Sequence, residues 1–182
     1  MELSFADATV YMTEPKWLIP NDDWVDKPNR EHRYKIAFHE SRIRLVEEMP
    51  RGLRFRISVF SHAPSSATFQ LELDRPETKK CLTLYRLELH AITGHGNSQD
   101  GAVPEEIRGL IFGPGETHEH SCLDHTTCNG SMIRSGGVHA ARPVTDDLQT
   151  YDDALRRACG IFRIQNPEVV PPSGVQWTLL GA

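Results

Sequence analysis

The sequence predicts an α+β fold, in which an antiparallel meander of about five to seven strands carries the N-terminal and C-terminal helices on one face. Three observations predict it. Apolar and polar residues alternate with a period of two between residues 33 and 90, turn residues interrupt this alternation, and helix-capping motifs stand at both ends of the chain. A chain of 182 residues suits one domain with a sizeable core. We therefore expect a single domain over residues 1–165 and a proline-rich tail over residues 166–182.

The N-terminal region carries a helix signal followed by a loop signal. Ser4 and Asp7 have the spacing of a capping box, and a short helix should end before Pro15. Its buried face would carry Phe5, Ala8, Thr9 and Met12. The prolines that follow, as far as residue 28, predict a loop that Trp17 and Trp24 anchor to the core.

The sheet is predicted first from four alternating segments that precede residue 75. Their core-facing residues are, in chain order, Tyr34, Ile36 and Phe38; Ile43 and Leu45; Leu53, Phe55, Ile57 and Val59; and Phe69, Leu71 and Leu73. A fifth segment, "CLTLYRLELHAI", has leucine in both registers, and one of its faces ends with Arg86, Glu88 and His90. Further strands are expected in "EIRGLIFG" and "GGVHAARPV".

The C-terminal helix is predicted over "TYDDALRRACGIF". Thr150 and Asp153 complete a capping box at its start, and Gly160 supplies a stop. Its buried stripe would carry Tyr151, Leu155, Ala158 and Phe162. The tail beyond it ends in "VQWTLLGA", an apolar segment that is available to a protein partner.

Composition excludes several classes of protein. A hydrophobic content of 38% with 25% charged residues predicts a soluble globular chain, and the absence of a long apolar run or a secretion signal predicts a cytoplasmic protein without membrane contact. In a reducing compartment the four cysteines form no disulfide framework, and Cys81 and Cys159 are expected in the core. Neither a glycine-rich phosphate loop nor a serine nucleophile elbow occurs. His39, His62 and His139 are expected at the surface.

A set of polar motifs follows in a fixed order: Arg86 and Glu88 on a strand, the loop "HGNSQDG" from His95, "HEH" from His118, and a closing helix. In this order the chain resembles an uncharacterised bacterial domain family, in which an arginine-bearing strand precedes a His-x-Asn-Pro-Asp-Gly loop and a His-x-His strand. The resemblance covers roughly residues 50–165 and departs from the family where Ser98 replaces the loop proline. Because the family has no known activity, the resemblance implies candidate positions and no mechanism.

The stretch "GETHEHSCLDHTTC" is rich in metal-ligand residue types. In an extended segment His118, His120 and Cys122 project from one face, and two imidazoles with a thiolate suit zinc. Cys128 or His125 would complete a tetrahedral site. The alternative is a solvated polar loop, since the spacing of these residues matches no zinc-finger or zinc-ribbon pattern.

A second interpretation needs no metal. Metal-free RNA cleavage requires a base for the 2′-hydroxyl, an acid for the leaving oxygen and a cation over the phosphate. Arg86 would hold the phosphate while His95 and His118 exchange protons, and Glu88 or His120 would orient them. Further substrate contacts are expected from Arg54, Arg56 and Asn97. The alternative for the residues on the strand is ordinary cross-strand charge pairing.

The positions of basic residues favour a nucleic-acid partner. Seven basic side chains fall on the non-core faces of predicted strands: Arg33, Lys35, Arg42, Arg44, Arg54, Arg56 and Arg86. Together they would form a basic surface despite the formal net charge of -5. Such a surface suits a phosphate backbone, although solvated cations also protect sheet edges.

The leading prediction is a nucleic-acid-directed protein of a bacterial defence, toxin or mobile-element system, a ribonuclease without a cofactor being one form of it. The rival prediction is a non-catalytic protein-binding module, whose partner contacts the C-terminal tail. Its structural zinc site would stiffen a recognition loop through His118, His120, Cys122 and Cys128. Whether the protein is an enzyme stays open on the sequence.

Overall fold

The computed structural model describes residues 3–21, 24–28, 35–46, 48–60, 63–75, 80–99, 101, 103–124, 132–133 and 140–171. Its α-helices are α1 (Phe5–Thr13) and α2 (Tyr151–Ile161). Its strands are β1 (Leu3–Ser4), β2 (Trp17–Leu18), β3 (Trp24–Pro28), β4 (Lys35–Arg44), β5 (Leu53–Phe60), β6 (Ala63–Arg75), β7 (Lys80–Leu89), β8 (His95–Gly96), β9 (Ile111–Phe112), β10 (His118–Ser121), β11 (Met132–Ile133) and β12 (Ala141–Pro143). Short 3-10 turns lie at Glu105–Ile107, Cys122–Asp124 and Pro167–Val169.

The main sheet of the described residues has eight strands, in the order β12-β10-β7-β6-β5-β4-β2, with β3 also paired to β4. All of its pairs are antiparallel, and β4 to β7 follow one another as a meander. The predicted α+β class and antiparallel meander are therefore confirmed. The predicted loop before residue 28 is wrong, because Trp17–Leu18 and Trp24–Pro28 both pair with β4. Pro28 is compatible with pairing at the end of a strand that has a neighbour on one side only.

One hydrophobic core cluster receives side chains from both helices and from the meander. Its buried helix members are Ala8, Met12, Tyr151, Ala154, Ala158 and Cys159. Phe162, directly after α2, packs edge-on against Phe55 and Tyr85, with ring centroids 5.6 and 5.3 Å away. The packing of both helices on one face of the sheet stays a prediction.

The helix ends follow local capping rules. Thr150 and Asp153 form the expected capping box of α2, and Ser4 caps α1. The predicted stop at Gly160 is wrong, because Gly160 stays within α2 and Arg163 takes the left-handed conformation with φ of 57°. Among the described residues, no helix is long and apolar enough to cross a membrane.

The register of β4 differs from the predicted one. Residues 33–38 and 42–45 were expected as two segments, but a single ten-residue strand spans Lys35–Arg44. A continuous strand keeps one alternation, and Ile43 points into the core. Ala37 and His39 therefore face the core as well, while Phe38 lies half-buried on the other face. His39 is fully buried beside Ser41, so its predicted surface position is wrong.

A β-bulge explains the leucines in both registers of β7. Leu71 pairs with Tyr85 but the next residue, Glu72, pairs with Thr83, so Leu84 is an extra residue on the bulged strand. Residues on either side of the bulge therefore reach the same core: Leu82, Leu84, Tyr85, Leu87 and Leu89 are all buried. The alternation after the bulge turns residues 86 and 88 to the opposite face of the sheet.

The two later predicted strands are mostly irregular. In "EIRGLIFG" a 3-10 turn and the two-residue β9 replace the expected strand, and β9 pairs with β8 outside the main sheet. Gly109, with φ of 69°, turns the chain between them. The segment "GGVHAARPV" ends in β12 at the edge of the main sheet, whereas residues 134–139 lie outside the described residues.

The first residues of the predicted tail pack on the domain. Asn166 accepts a hydrogen bond from the Leu18 backbone N–H at 2.8 Å and donates one to the Leu18 carbonyl at 2.9 Å. Val170 belongs to the main core cluster. The apolar end of the tail, from residue 172, lies outside the described residues, so its predicted role in binding a partner stays a prediction.

Candidate metal centre

Two neighbouring strands place four polar residues on one face of the sheet. His118 of β10 pairs with Glu88 of β7, and His120 pairs with Arg86. Directly paired side chains on one face lie close together. Leu87, between the two β7 residues, is fully buried in the core, so the polar side chains project from the opposite face.

The β8–β9 pair brings a third histidine over this face. The His95 ring lies 4.7 Å from the His118 ring and 5.0 Å from the His120 ring, centroid to centroid, and the latter two lie 5.1 Å apart. Phe112 of β9 contacts the rings of both His95 and His118. His118 and His120 are consequently almost fully buried, at 0% and 1% exposure.

Asn97 fastens this hairpin to β12. Its side-chain amide donates to the carbonyls of Ile107 and Ala141 at 2.7 and 2.8 Å, and its oxygen accepts from the Ala141 N–H at 2.7 Å. Asn97 is buried, and these contacts use the hydrogen-bonding capacity that the sequence assigned to substrate. We therefore interpret Asn97 as the residue that positions His95.

The hydrogen bonds of the rings determine which nitrogens are free. His118 Nδ1 lies 3.2 Å from the Glu116 carbonyl oxygen, which only accepts, so Nδ1 carries the proton. Arg86 donates to His120 Nε2 at 3.0 Å, because a guanidinium has no acceptor. Among the described residues, the Nε2 atoms of His95 and His118 and the Nδ1 atom of His120 are buried without a hydrogen-bond partner. Such unpartnered buried nitrogens are rare in folded proteins. Because His120 Nε2 accepts from Arg86, its Nδ1 carries the proton and Nε2 holds the lone pair.

The surroundings keep all three rings neutral. Burial lowers the pKa of His95 and of His118, although Glu88 opposes the shift in both. Burial also lowers the pKa of His120, to about 2, and the charges of Arg86 and of the other two histidines add to this effect. A neutral imidazole offers a nitrogen lone pair, which is the form that binds metal ions.

A carboxylate borders the three rings. Glu88 Oε2 lies 3.7 Å from His118 Nε2, and Glu88 Oε1 lies 3.9 Å from His120 Nε2. Arg86 balances its charge, since Arg86 Nε lies 2.8 Å from Glu88 Oε1. The catalytic set predicted from the sequence, His95, His118, His120, Glu88 and Arg86, is thus assembled around one point.

The three histidines form a group that can hold a metal ion. Their ligand nitrogens all lie within 4.8 Å of one another. Metal–nitrogen distances of about 2.0–2.1 Å in a tetrahedral site require nitrogens roughly 3.3 Å apart, so the rings would close inward on binding. The His118 contact with a backbone carbonyl is the outer hydrogen bond that orients a metal-binding histidine.

The predicted zinc quartet is brought together only in part. His118 and His120 converge, but Cys122 lies in the hydrophobic core, where burial raises its pKa to about 12. The 3-10 turn Cys122–Asp124 ends the strand alternation directly after β10 and carries this side chain away from the histidines. Cys128 and His125 lie outside the described residues.

The predicted basic surface is compensated by acidic neighbours. Arg54 forms ion pairs with Glu40, Glu72 and Asp74. Arg56 pairs with Glu72 as well and donates to Gln70. Arg33 lies outside the described residues, and Arg44 lies over the Trp17 ring. Cross-strand charge pairing thus accounts for Arg54 and Arg56, whereas the alternative for the basic surface as a whole, cations that protect sheet edges, stays a prediction.

A groove of about 280 Å³ adjoins the histidine group, and Arg86 and Glu88 belong to its lining. Its polar lining includes Arg56, Ser58, Thr68, Gln70, Arg86 and Glu88, and Phe38 adds an aromatic ring. Arg56 lies 5.7 Å above the Phe38 ring. The groove thus joins a cationic and aromatic wall to the carboxylate beside the histidines.

The membership of His95 in the metal group was missed from the sequence. The sequence offers one local signal, Gly94 directly before His95. The structure gives its reason, since a Cβ at residue 94 would lie 2.5 Å from the Phe112 carbonyl oxygen. A glycine directly before His95 thus marks a close approach of two chain segments. Periodicity within one strand does not indicate such an approach.

Comparisons with protein-family models, curated proteins and solved structures give no match. The resemblance to the uncharacterised domain family, the bacterial defence setting and the cytoplasmic location therefore stay predictions from the sequence.

Proposed function

We propose that the protein is a metal-dependent hydrolase of nucleic-acid phosphodiesters, with a zinc-class ion held by His95, His118 and His120. One observation carries the proposal: two buried imidazoles and one half-buried imidazole, all neutral, converge beside a carboxylate, and two of them have Nε2 atoms without a partner among the described residues. Three protein nitrogens converge among the described residues, and three protein ligands with a fourth position for water are the ligand set of catalytic zinc. A structural site, by contrast, uses four protein ligands.

The neutral rings favour a metal over the metal-free mechanism. A metal-free ribonuclease needs one protonated histidine as the acid for the leaving oxygen. Burial lowers the pKa of each ring here, so none of the three holds that proton near neutral pH. Zinc held by the three histidines would instead activate a water molecule as the nucleophile, because zinc lowers the pKa of bound water to about 7.

Glu88 is the residue that handles protons in this proposal. Its carboxylate, less than 4 Å from two ligand nitrogens, can accept a proton from the metal-side water. The water oxygen would then form a bond to phosphorus while the bond from phosphorus to the leaving oxygen breaks. Glu88 would return the proton to the leaving oxygen. Arg56 and the Phe38 ring, in the adjoining groove, supply a cation and a stacking surface for the substrate.

A purely structural zinc in a protein-binding module has less support. Such an ion would serve to fasten the hairpin that carries His95 to the sheet. Asn97 already does this through three hydrogen bonds to backbone groups. The hairpin that carries His95 is therefore fastened to the sheet before any ion binds, so an ion is not needed for that role.

The test combines elemental analysis of untagged protein with cleavage of a single-stranded RNA and its 2′-deoxy analogue. We expect about one zinc per chain and metal-dependent cleavage of at least one strand. His118→Ala should lose both, whereas Glu88→Gln should retain zinc and lose about 100-fold or more in rate. His90→Asn is the matched control, because His90 lies outside the group and Asn tolerates its left-handed backbone. Cleavage that persists at the wild-type rate in chelator or in His118→Ala would overturn the proposal.

A further inference from the structure

Arg86 occupies the lone pair that a metal ion needs on His120. Its guanidinium nitrogen lies 3.0 Å from His120 Nε2 and donates to it. A zinc ion on the same lone pair, about 2.0–2.1 Å from the nitrogen, would lie only about 1 Å from the guanidinium. The two cations therefore exclude each other at His120.

Arg86 also occupies the carboxylate that borders the site. Its Nε lies 2.8 Å from Glu88 Oε1, the oxygen that faces His120 at 3.9 Å. The Arg86 side chain thus blocks one potential ligand nitrogen, His120 Nε2, and also neutralises the nearest carboxylate, Glu88. This positive charge also stands where the charge of the metal would be, and like charges at this distance repel strongly when partly buried.

The side chain has a place to move to. Arg86 is 31% exposed and lines the groove, and its neighbour across the sheet on the other side is Gln70 rather than a second acid. Next along the same row of the sheet is Arg56 of β5, which pairs with Gln70. A guanidinium turned toward this row would lie near that of Arg56, whose charge Glu72 offsets, and together the two groups would attract an anion.

We propose that metal binding displaces Arg86 from His120 and Glu88 into the groove, where its guanidinium binds an oxyanion of the substrate. The proposal rests on the proposed function, because it requires a metal at the three histidines. In the metal-free protein Arg86 balances Glu88 and holds the rings apart. In the metal-loaded protein Glu88 faces the metal, and Arg86 joins Arg56 as a forked donor suited to phosphate.

The first test measures zinc affinity by competition with a chelating dye. Arg86→Met removes the competing cation and keeps an apolar side chain of similar length. We therefore expect zinc to bind about tenfold more tightly than in the wild type, or tighter still. This factor corresponds to the free energy of one charged hydrogen bond. Arg156→Met is the control, since it removes an exposed positive charge on α2 and should leave zinc affinity unchanged. Equal or weaker zinc affinity in Arg86→Met overturns the proposal.

The second test is read on the wild-type protein, and Arg86→Met serves only to assign one resonance. The arginine side-chain Nε–H resonances of ¹⁵N-labelled protein are recorded with and without zinc, and the Arg86 signal is assigned by its loss in Arg86→Met. We expect this signal to shift when zinc breaks its contact with Glu88. An unchanged Arg86 signal in zinc-loaded protein overturns the displacement while leaving the metal site intact. Failure of the wild type to bind zinc at all would instead refute the proposed function, and this inference with it.

Discussion

Cys122 and His118 show how burial has opposite chemical consequences for two ligand-type residues in one short segment. Cys122 is buried among apolar side chains, which keeps the thiol protonated and removes it from metal chemistry. His118 is buried among polar groups, with one nitrogen bonded to a carbonyl and the other open. Cys122 and His118 are both almost inaccessible to water, so the side chains around them cause the difference in their chemistry.

A pair of substitutions tests this difference. Cys122→Ser should retain zinc binding but destabilise the protein by about 1–3 kcal/mol, because it buries a hydroxyl in an apolar core. His118→Ala should lose zinc binding, since it removes one of three ligands. Zinc titration and urea unfolding measure the two effects. Loss of zinc binding in Cys122→Ser would show that the Cys122 thiol is a zinc ligand.

At the scale of elements, the Asn97 side chain joins the β8–β9 hairpin to β12. Asn97→Ala leaves both backbone groups of Ala141 without their partners. We expect a loss of about 2–3 kcal/mol in unfolding free energy and faster amide exchange in β8 and β9, together with weaker zinc binding. Hydrogen-exchange mass spectrometry and zinc titration measure the effect. Unchanged protection of the hairpin would show that His95 is held by other contacts.

The turn that precedes β5 depends on a glycine. Gly52 has φ of 82°, and a Cβ there would lie 2.8 Å from the Asp74 Cβ. Gly52→Ala should therefore lower the unfolding free energy by about 1–3 kcal/mol. Gly101→Ala is the control, because a Cβ at Gly101 meets no atom within 4 Å. Equal stability of the two variants in urea unfolding would contradict this explanation of the turn.

Some elements were predictable because the information in them is local. The capping box of α2 lies within four residues, and the alternation of β5 lies within one strand. The β7 bulge was not predictable, since it is defined by the pairing of Leu71 and Glu72 on β6. The register of β4 was missed for a related reason, namely that a break was inferred between two parts of one strand.

For the whole molecule, the buried histidines make stability depend on pH. Each pKa is lower in the folded protein than the value of about 6.5 in the unfolded chain, so below pH 6.5 the unfolded chain binds more protons. Stability of the metal-free protein should therefore be intact above that pH and fall as the pH decreases. Each histidine that stays neutral contributes a slope of up to about 1.4 kcal/mol per pH unit.

Urea unfolding in chelator between pH 7.5 and 5.5 measures this slope. His120→Asn removes the ring with the most strongly lowered pKa. The unfolding free energy of this variant should therefore depend less steeply on pH, by up to about 1.4 kcal/mol per pH unit. A wild-type stability that is flat over this range would mean that the rings are less shielded from water than their burial implies.

The sequence by itself determined the class of the fold, the capping of the helices and the chemistry of the polar motifs. These features depend on neighbours within a few residues, and two of the metal-group members, His118 and His120, follow from the alternation of one strand. The tertiary structure decided that His95 joins them and that Cys122 does not. It also decided that Arg54 and Arg56 are paired with acids, because partners on adjacent strands are set by register. A site built from three separate segments is a property of the folded chain, since no spacing within the sequence specifies the approach of a hairpin to a sheet.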